Sequence, residues 1–268
     1  MDRIGLFGTG VMARGIAALC LQNAMGVVIL SGSPDRAEAL AASLSEQAPD
    51  GAVSTDPTDL QGCSLFLEAT VEEAESKIRA LQRVEAGLPP AAVMASSTSS
   101  LSITALASAL REPARMIGLH FFNPVHRMPL VEVVAGLRSD PEAVGAGRDF
   151  AHALGKRPLR VPDGPGFLVN RLLIPYLNSA ARLAESGYAS AEDIDMAMTL
   201  GTGHPMGPFA LIDLIGADVV QAIGRSLDDG FHRTCDAASP ELRRRVALGW
   251  LGRKTGHGYF DYAPRAAG

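Results

Sequence analysis

The sequence predicts an α/β protein: a doubly wound, mostly parallel sheet of Rossmann type, followed by an all-α C-terminal domain. Three features carry that prediction. Short apolar strands alternate with helical runs up to about residue 160, strand patterns then vanish, and a glycine turn joins the first strand to the first helix.

The element order begins with the apolar strand Ile4-Gly-Leu-Phe7, then Gly8-x-Gly10-x-x-Ala13, then the helical run Ile16 to Leu21. In such a strand-turn-helix unit Gly8 makes the tight turn, Gly10 lets the backbone approach a pyrophosphate, and small Ala13 allows helix and strand to pack closely. The loop Gly8, Thr9, Gly10, Val11 and Met12 is therefore the candidate dinucleotide contact, with the phosphates at the helix N-terminus.

Val27 to Leu30 reads as a second strand. Ser33-Pro34-Asp35 supplies an N-cap, a proline at the first helical position and an acidic first turn for a helix through Leu44. Further short strands are Leu65 to Ala69, Ala92 to Ala95 and Met116 to Leu119; an amphipathic stretch runs from Glu72 to Glu85, and another helix begins near Ser102. Ligands of such a sheet bind at its carboxyl edge. Val161-Pro-Asp-Gly-Pro-Gly166 reads as a hinge, so residues 1–162 are assigned to the dinucleotide-binding domain and 163–268 to a helical domain. The helical domain is expected to hold helices over Phe167 to Ser186, Ala191 to Leu200, Pro208 to Ser226 and Pro240 to Gly249.

Composition narrows the function. With 268 residues and 47% apolar content the chain can bury a sizeable core. A net charge of -5 with no block of Lys or Arg argues against a nucleic-acid surface, and no apolar run reaches membrane-spanning length. Met1-Asp2-Arg3 leads straight into a strand, from which a cytoplasmic protein is expected. Cys20, Cys63 and Cys235 lack metal or disulfide spacing, and the six histidines form no H-E-x-x-H pair, so no metal is expected.

Chemistry is most legible at His120 and Glu132, at opposite ends of Gly118-Leu-His-Phe-Phe-Asn-Pro-Val-His-Arg-Met-Pro-Leu-Val-Glu-Val-Val134. If the segments flanking Asn123-Pro124 run side by side, the carboxylate can hold one ring nitrogen while the other handles a substrate proton.

The chain resembles the short-chain L-3-hydroxyacyl-CoA dehydrogenase family over nearly its whole length. The resemblance lies in Gly8 to Ala17, Ser96-Ser-Thr-Ser-Ser-Leu101, His120-Phe-Phe-Asn-Pro124, Pro165-Gly-Phe-Leu-Val-Asn-Arg171, Pro205-Met-Gly-Pro-Phe209 and Gly252-Arg-Lys-Thr-Gly-His-Gly-Tyr259. It implies interconversion of a 3-hydroxyacyl thioester and its 3-oxoacyl form, with Ser99, His120, Glu132 and Asn170 as catalytic positions. It also places Glu72, Lys77, Ser99, Asn123 and Lys254 near a nicotinamide dinucleotide and implies a homodimer paired through the helical domain. The assigned types suit the reaction: an imidazole accepts the alcohol proton, a carboxylate fixes its tautomer, and uncharged Ser99 and Asn170 hold oxygens without competing as bases.

Two departures from the family pattern matter. The second strand ends at Ser31-Gly32-Ser33, where the family usually has an acidic residue for the adenosine ribose. Ser31, Ser33 and Arg36 could instead receive a 2′-phosphate, which leaves NAD and NADP both open. Between Pro34 and Val53, where the family carries a longer lysine-bearing excursion toward the CoA nucleotide, Arg36 is the sole basic residue. Phosphopantetheine has the thioester end of CoA without its nucleotide, so a thioester on an acyl carrier protein is an alternative to CoA.

Each candidate also has an ordinary structural reading. Ser99 could cap the helix near Ser102, Asn170 could be a helix-start residue, and Lys77 and Lys254 could be solvated surface groups. His126, Arg127 and Pro129 differ from the family's usual loop and either line a substrate pocket or vary freely. Two other function classes are a non-catalytic dinucleotide-binding or structural protein, and a β-hydroxyacid dehydrogenase or imine reductase. The second class looks for a lysine on the first helix past the hinge, and Gly166 to Glu185 contains none.

Overall fold

The computed structural model describes residues 3–45 and 51–262. The chain divides into two compact units, Met1–Phe167 and Leu168–Gly268.

The first unit's strands are β1 (Arg3–Phe7), β2 (Gly26–Leu30), β3 (Gly51–Ser54), β4 (Leu65–Glu68), β5 (Val93–Ser96), β6 (Met116–Phe121), β7 (Leu130–Ala135) and β8 (Arg157–Pro162). They form one sheet in the order β3-β2-β1-β4-β5-β6-β7-β8. The pairings are parallel except that of β6 with β7, which turns the last two strands around. The order reverses between β1 and β4, and that switch point opens the crevice where doubly wound sheets bind ligands.

Alternate residues of each strand feed two cores. Ile4, Leu6, Ile29, Leu67 and Leu119 pack on one face with Ile16 and Cys20 of α1 (Val11–Gln22) and Phe150 of α5 (Pro141–Ala153). Phe7, Val28, Phe66, Met94 and Met116 pack on the other, with Leu81 and Val84 of α3 (Ala74–Glu85) and Ile103 and Leu106 of α4 (Ile103–Ser108). A sheet covered on both faces needs apolar side chains on both, which is why its strands read as unbroken apolar runs. Cys20 and Cys63 belong to these cores, and burial pushes the Cys20 thiol up to about 12. Helix α2 (Pro34–Ser45) follows β2. The segment Asp35 to Gly51, which stands in place of the family's longer excursion, lies partly outside the described residues, at 46–50.

Strand β8 continues to Pro162, and the buried ring of Phe167 joins the core of the first unit, so the division falls after residue 167. The second unit holds α6 (Val169–Glu185), α7 (Ala191–Thr202), α8 (Pro208–Ile215), α9 (Ala217–Phe231) and α10 (Pro240–Ala247). They enclose a core of Ile174, Leu177, Phe209, Val220, Leu227 and Leu242. The run Pro208 to Ser226, expected as one helix, is two. Gly216 takes φ 107° and ψ 125°, outside the helical region and in backbone that side-chain-bearing residues rarely adopt, so the rod breaks at a glycine.

Candidate active site

His120 and Glu132 stand directly opposite one another in the antiparallel register of β6 and β7. Their side chains meet: Nδ1 lies 2.6 Å from Glu132 Oε2, and both residues are buried. At that separation the ring N–H donates to the carboxylate, which leaves Nε2 as the nitrogen able to accept a proton. The rings of Phe122 and Phe167 flank the imidazole, with centroids 4.5 and 5.6 Å away. An apolar surround of this kind strengthens the contact by excluding water.

The glycine turn lies on the same carboxyl edge of the sheet. Gly8 adopts φ +138°, and a Cβ there would overlap the Ala69 carbonyl just past β4. Gly10, the N-cap of α1, is different: beyond its own chain neighbours no atom of the described residues lies within 4 Å of where its Cβ would be, and no side chain caps the helix. Packing therefore does not require glycine at 10. The bare loop and uncapped helix N-terminus form a cradle that fits a pyrophosphate.

Beside this cradle sits a polar assembly centred on Lys77. The ammonium is buried, 3.1 Å from both oxygens of Glu68 and 3.3 Å from Glu72 Oε2. Glu72 Oε1 in turn accepts from Thr98 Oγ1 (2.6 Å), Ser99 N (2.7 Å), Ser100 N (2.9 Å) and Ser100 Oγ (3.0 Å). Partial burial by itself raises the Glu72 carboxyl; the Lys77 ammonium and these hydrogen bonds outweigh it and hold the group below the usual carboxylate range. The solvated-surface reading of Lys77 is thereby excluded.

Ser99 does not cap the helix after its turn. Ser102 does so, accepting from Ala105 N, while Asp163 accepts from Ser102 Oγ, Ile103 N and Thr104 N. Asn123 is exposed in the loop leaving β6, near His126 and Arg127. Asn170 is buried in the first turn of α6, and Lys254 pairs with Asp218 at 2.6 Å; both belong to the second unit.

At the end of β2 the Ser31 hydroxyl is buried and turned onto its own loop, donating to Ser33 O at 2.8 Å and accepting from Ser33 N at 3.2 Å. Arg36, in the first turn of α2, is exposed.

Sequence reasoning passed over Glu68, Thr70, Ser96 and Thr98. Glu68 is the most informative omission, because a carboxylate ending the apolar run Leu65-Phe-Leu is buried and has to be compensated.

Comparison with known proteins agrees along the whole chain. Residues 3–164 match the 3-hydroxyacyl-CoA dehydrogenase NAD binding domain, and 166–262 the C-terminal domain of the same name. The 3-hydroxybutyryl-CoA dehydrogenase of Bradyrhizobium diazoefficiens is 38% identical, covering 98% of this chain and 96% of the relative. Human mitochondrial hydroxyacyl-coenzyme A dehydrogenase is 44% identical over 79% of this chain and 68% of its own length. The crystal structure of (S)-3-hydroxybutyryl-CoA dehydrogenase from Ralstonia eutropha superposes with a TM-score of 0.90 at 35% identity, covering 98% of this chain and all (100%) of that one.

The two glycines are expected to respond oppositely to alanine. Gly10→Ala should change unfolding free energy by less than about 1 kcal/mol yet weaken dinucleotide binding by about tenfold or more. Gly8→Ala should cost about 2–4 kcal/mol through its φ and the overlap with Ala69. Urea unfolding with NADH fluorescence titration checks both; equal destabilisation by the two changes would contradict the cradle.

Proposed function

Because the chain belongs to the 3-hydroxyacyl-CoA dehydrogenase family, we propose that it interconverts a 3-hydroxyacyl thioester and its 3-oxoacyl form, with His120 as the proton-transferring group. The observation that carries this reading is the buried 2.6 Å contact between His120 Nδ1 and Glu132. In the oxidative direction the C3 hydroxyl gives its proton to His120 Nε2, the C3–H bond breaks and C3–O becomes a carbonyl. The nicotinamide, when bound, supplies the hydride acceptor, and in the reverse direction the donor. Glu132 keeps the ring in the tautomer that leaves Nε2 able to accept, and its charge stabilises the imidazolium that forms.

Ser99 is proposed to donate to the C3 oxygen from the turn that Glu72 holds. Asn170 is proposed, from its place in the family motif, to hydrogen-bond the neighbouring carbonyl. Gly8, Thr9, Gly10, Val11 and Met12 hold the dinucleotide phosphates; Asn123 and Lys254 are carried as cofactor contacts on the resemblance alone. His120→Ala should lower kcat by about a thousandfold with NADH affinity unchanged. Glu132→Gln, whose amide can present either a donor or an acceptor to Nδ1, should lower kcat by about a hundredfold or more. Activity near the wild-type level in His120→Ala would remove the proposed chemistry and favour a non-catalytic dinucleotide-binding protein.

The adenosine end and the thioester carrier form a second question. Ser33 and Arg36 stand where a carboxylate would repel a 2′-phosphate, so NADP is read as a competent cofactor beside NAD. Because Arg36 is the one basic residue between Asp35 and Gly51, a carrier-protein thioester is kept as a second substrate reading beside CoA. Parallel assays with NADH and NADPH, on acetoacetyl-CoA and on acetoacetyl carrier protein, separate these cases. Arg36→Ala is expected to raise the KM for NADPH by about tenfold and leave that for NADH alone. Unchanged NADPH kinetics rejects the role of Arg36, and turnover of the CoA thioester alone rejects the carrier reading.

A homodimer is proposed through the helical unit. Leu172 on α6 and Leu200 on α7 are 71% and 81% exposed, with Tyr188 between the helices at 80%. Apolar area of this kind on a bundle is most simply covered by a second copy. Light scattering at micromolar concentration should give twice the chain mass, and a monomer would contradict the proposal.

A further inference from the structure

The Glu68–Lys77–Glu72 assembly has a charge balance that positioning alone does not require. Glu68 ends β4 and is fully buried. Its carboxylate receives Thr70 N and Thr70 Oγ1 at 2.5 Å each, Ser96 Oγ at 2.6 Å and the Lys77 ammonium at 3.1 Å. Lys77 also faces Glu72 at 3.3 Å and the Thr70 carbonyl at 3.4 Å. Two carboxylates thus share one ammonium, and the hydrogen bonds they receive in addition come from uncharged donors. Formally, one negative charge is left in excess on the carboxyl edge of β4 and β5.

The place of that excess gives it a consequence for the redox partner. Phosphates cradled at Gly8 to Gly10 put the dinucleotide across the switch point between β1 and β4. His120 lies at the end of β6, so the half of the dinucleotide that exchanges hydride belongs on the β4 to β6 side, the side that carries Glu68 and the Glu72-bound turn. The oxidised nicotinamide ring is cationic and the reduced ring neutral. A fixed negative charge rooted in buried Glu68 therefore acts on one form and not on the other.

Resting on the dehydrogenase reading above, we infer that Glu68 is a positioning residue that sets the redox preference of dinucleotide binding. It anchors Lys77 and Ser96, and the excess charge of the assembly favours the oxidised over the reduced form. Equilibrium binding rather than turnover tests this. Dissociation constants for NAD+ and NADH, with NADP+ and NADPH in parallel, are measured by calorimetry on the wild type and on Glu68→Gln, Glu68→Asp and Glu72→Gln.

Glu68→Gln removes the excess charge and should raise the ratio of Kd for the oxidised form to Kd for the reduced form by about tenfold. Glu68→Asp keeps the charge, so the ratio should stay at the wild-type value even if both constants weaken. A merely structural role would move both constants by one factor, and a Glu68→Gln ratio within about twofold of wild type overturns the inference. If Glu68→Gln does not fold, Glu72→Gln removes the same charge from the turn side and decides in the same way. A wild type that binds none of the four nucleotides would instead overturn the dehydrogenase reading, and with it the basis of this inference.

Discussion

The register of β6 against β7 is the constraint on which the site depends. Side chains alternate between the faces of a sheet, so a slip of one residue would send Glu132 to the face opposite His120 and separate the pair. Packing fixes the register from several sides. A Cβ on Gly118 would come 2.8 Å from Val134 and 2.9 Å from Ile103, so the strands close tightly only with glycine there. Strand β7 is also held on its far side by six paired residues of β8, from Leu130 opposite Arg157 to Ala135 opposite Pro162. With the strands locked, a buried carboxylate whose desolvation is costly is set against a ring nitrogen that can donate to it, and the contact orients the imidazole.

The rest of the edge is arranged by a charge network rooted in the buried pair Glu68 and Lys77. Glu68 and Glu72 tie β4, β5, the start of α3 and the Ser96 to Leu101 turn through Lys77, and Asp163 ties the hinge to the start of α4. Removing one member of such a network leaves its partners buried and unpaired, which costs more than the paired interaction contributes. Ser99 is held in this way through its backbone N–H.

The fold was legible wherever local pattern and burial agree. Largely apolar runs of four or five residues flanked by turn residues mark β1, β2, β4, β5 and β6, and the glycine spacing marks the first βα turn. Strand β3 reads Gly-Ala-Val-Ser, with valine its one large apolar residue, and β8 reads Arg-Pro-Leu-Arg-Val-Pro because an edge strand tolerates proline and exposed arginine. The break at Gly216 was hidden because a lone glycine in an apolar helical run is ambiguous until its φ is seen. At the site, the His120 to Glu132 spacing announced a pair, since an Asn-Pro turn between two apolar segments permits antiparallel pairing. The Lys77 network was not read, because Glu68 has no periodic signal and its partners lie 9 and 28 residues away.

The tautomer of His120 tests the account most directly. In 15N-labelled protein at a pH where the ring is neutral, with the resonance assigned by its absence in His120→Ala, the hydrogen should reside on Nδ1, and Nε2 should show the shift of an unprotonated nitrogen. Glu132→Ala should then release that preference. A neutral His120 carrying its hydrogen on Nε2 in the wild type would show that the carboxylate does not orient the ring, and the proton-transfer assignment would have to be given up.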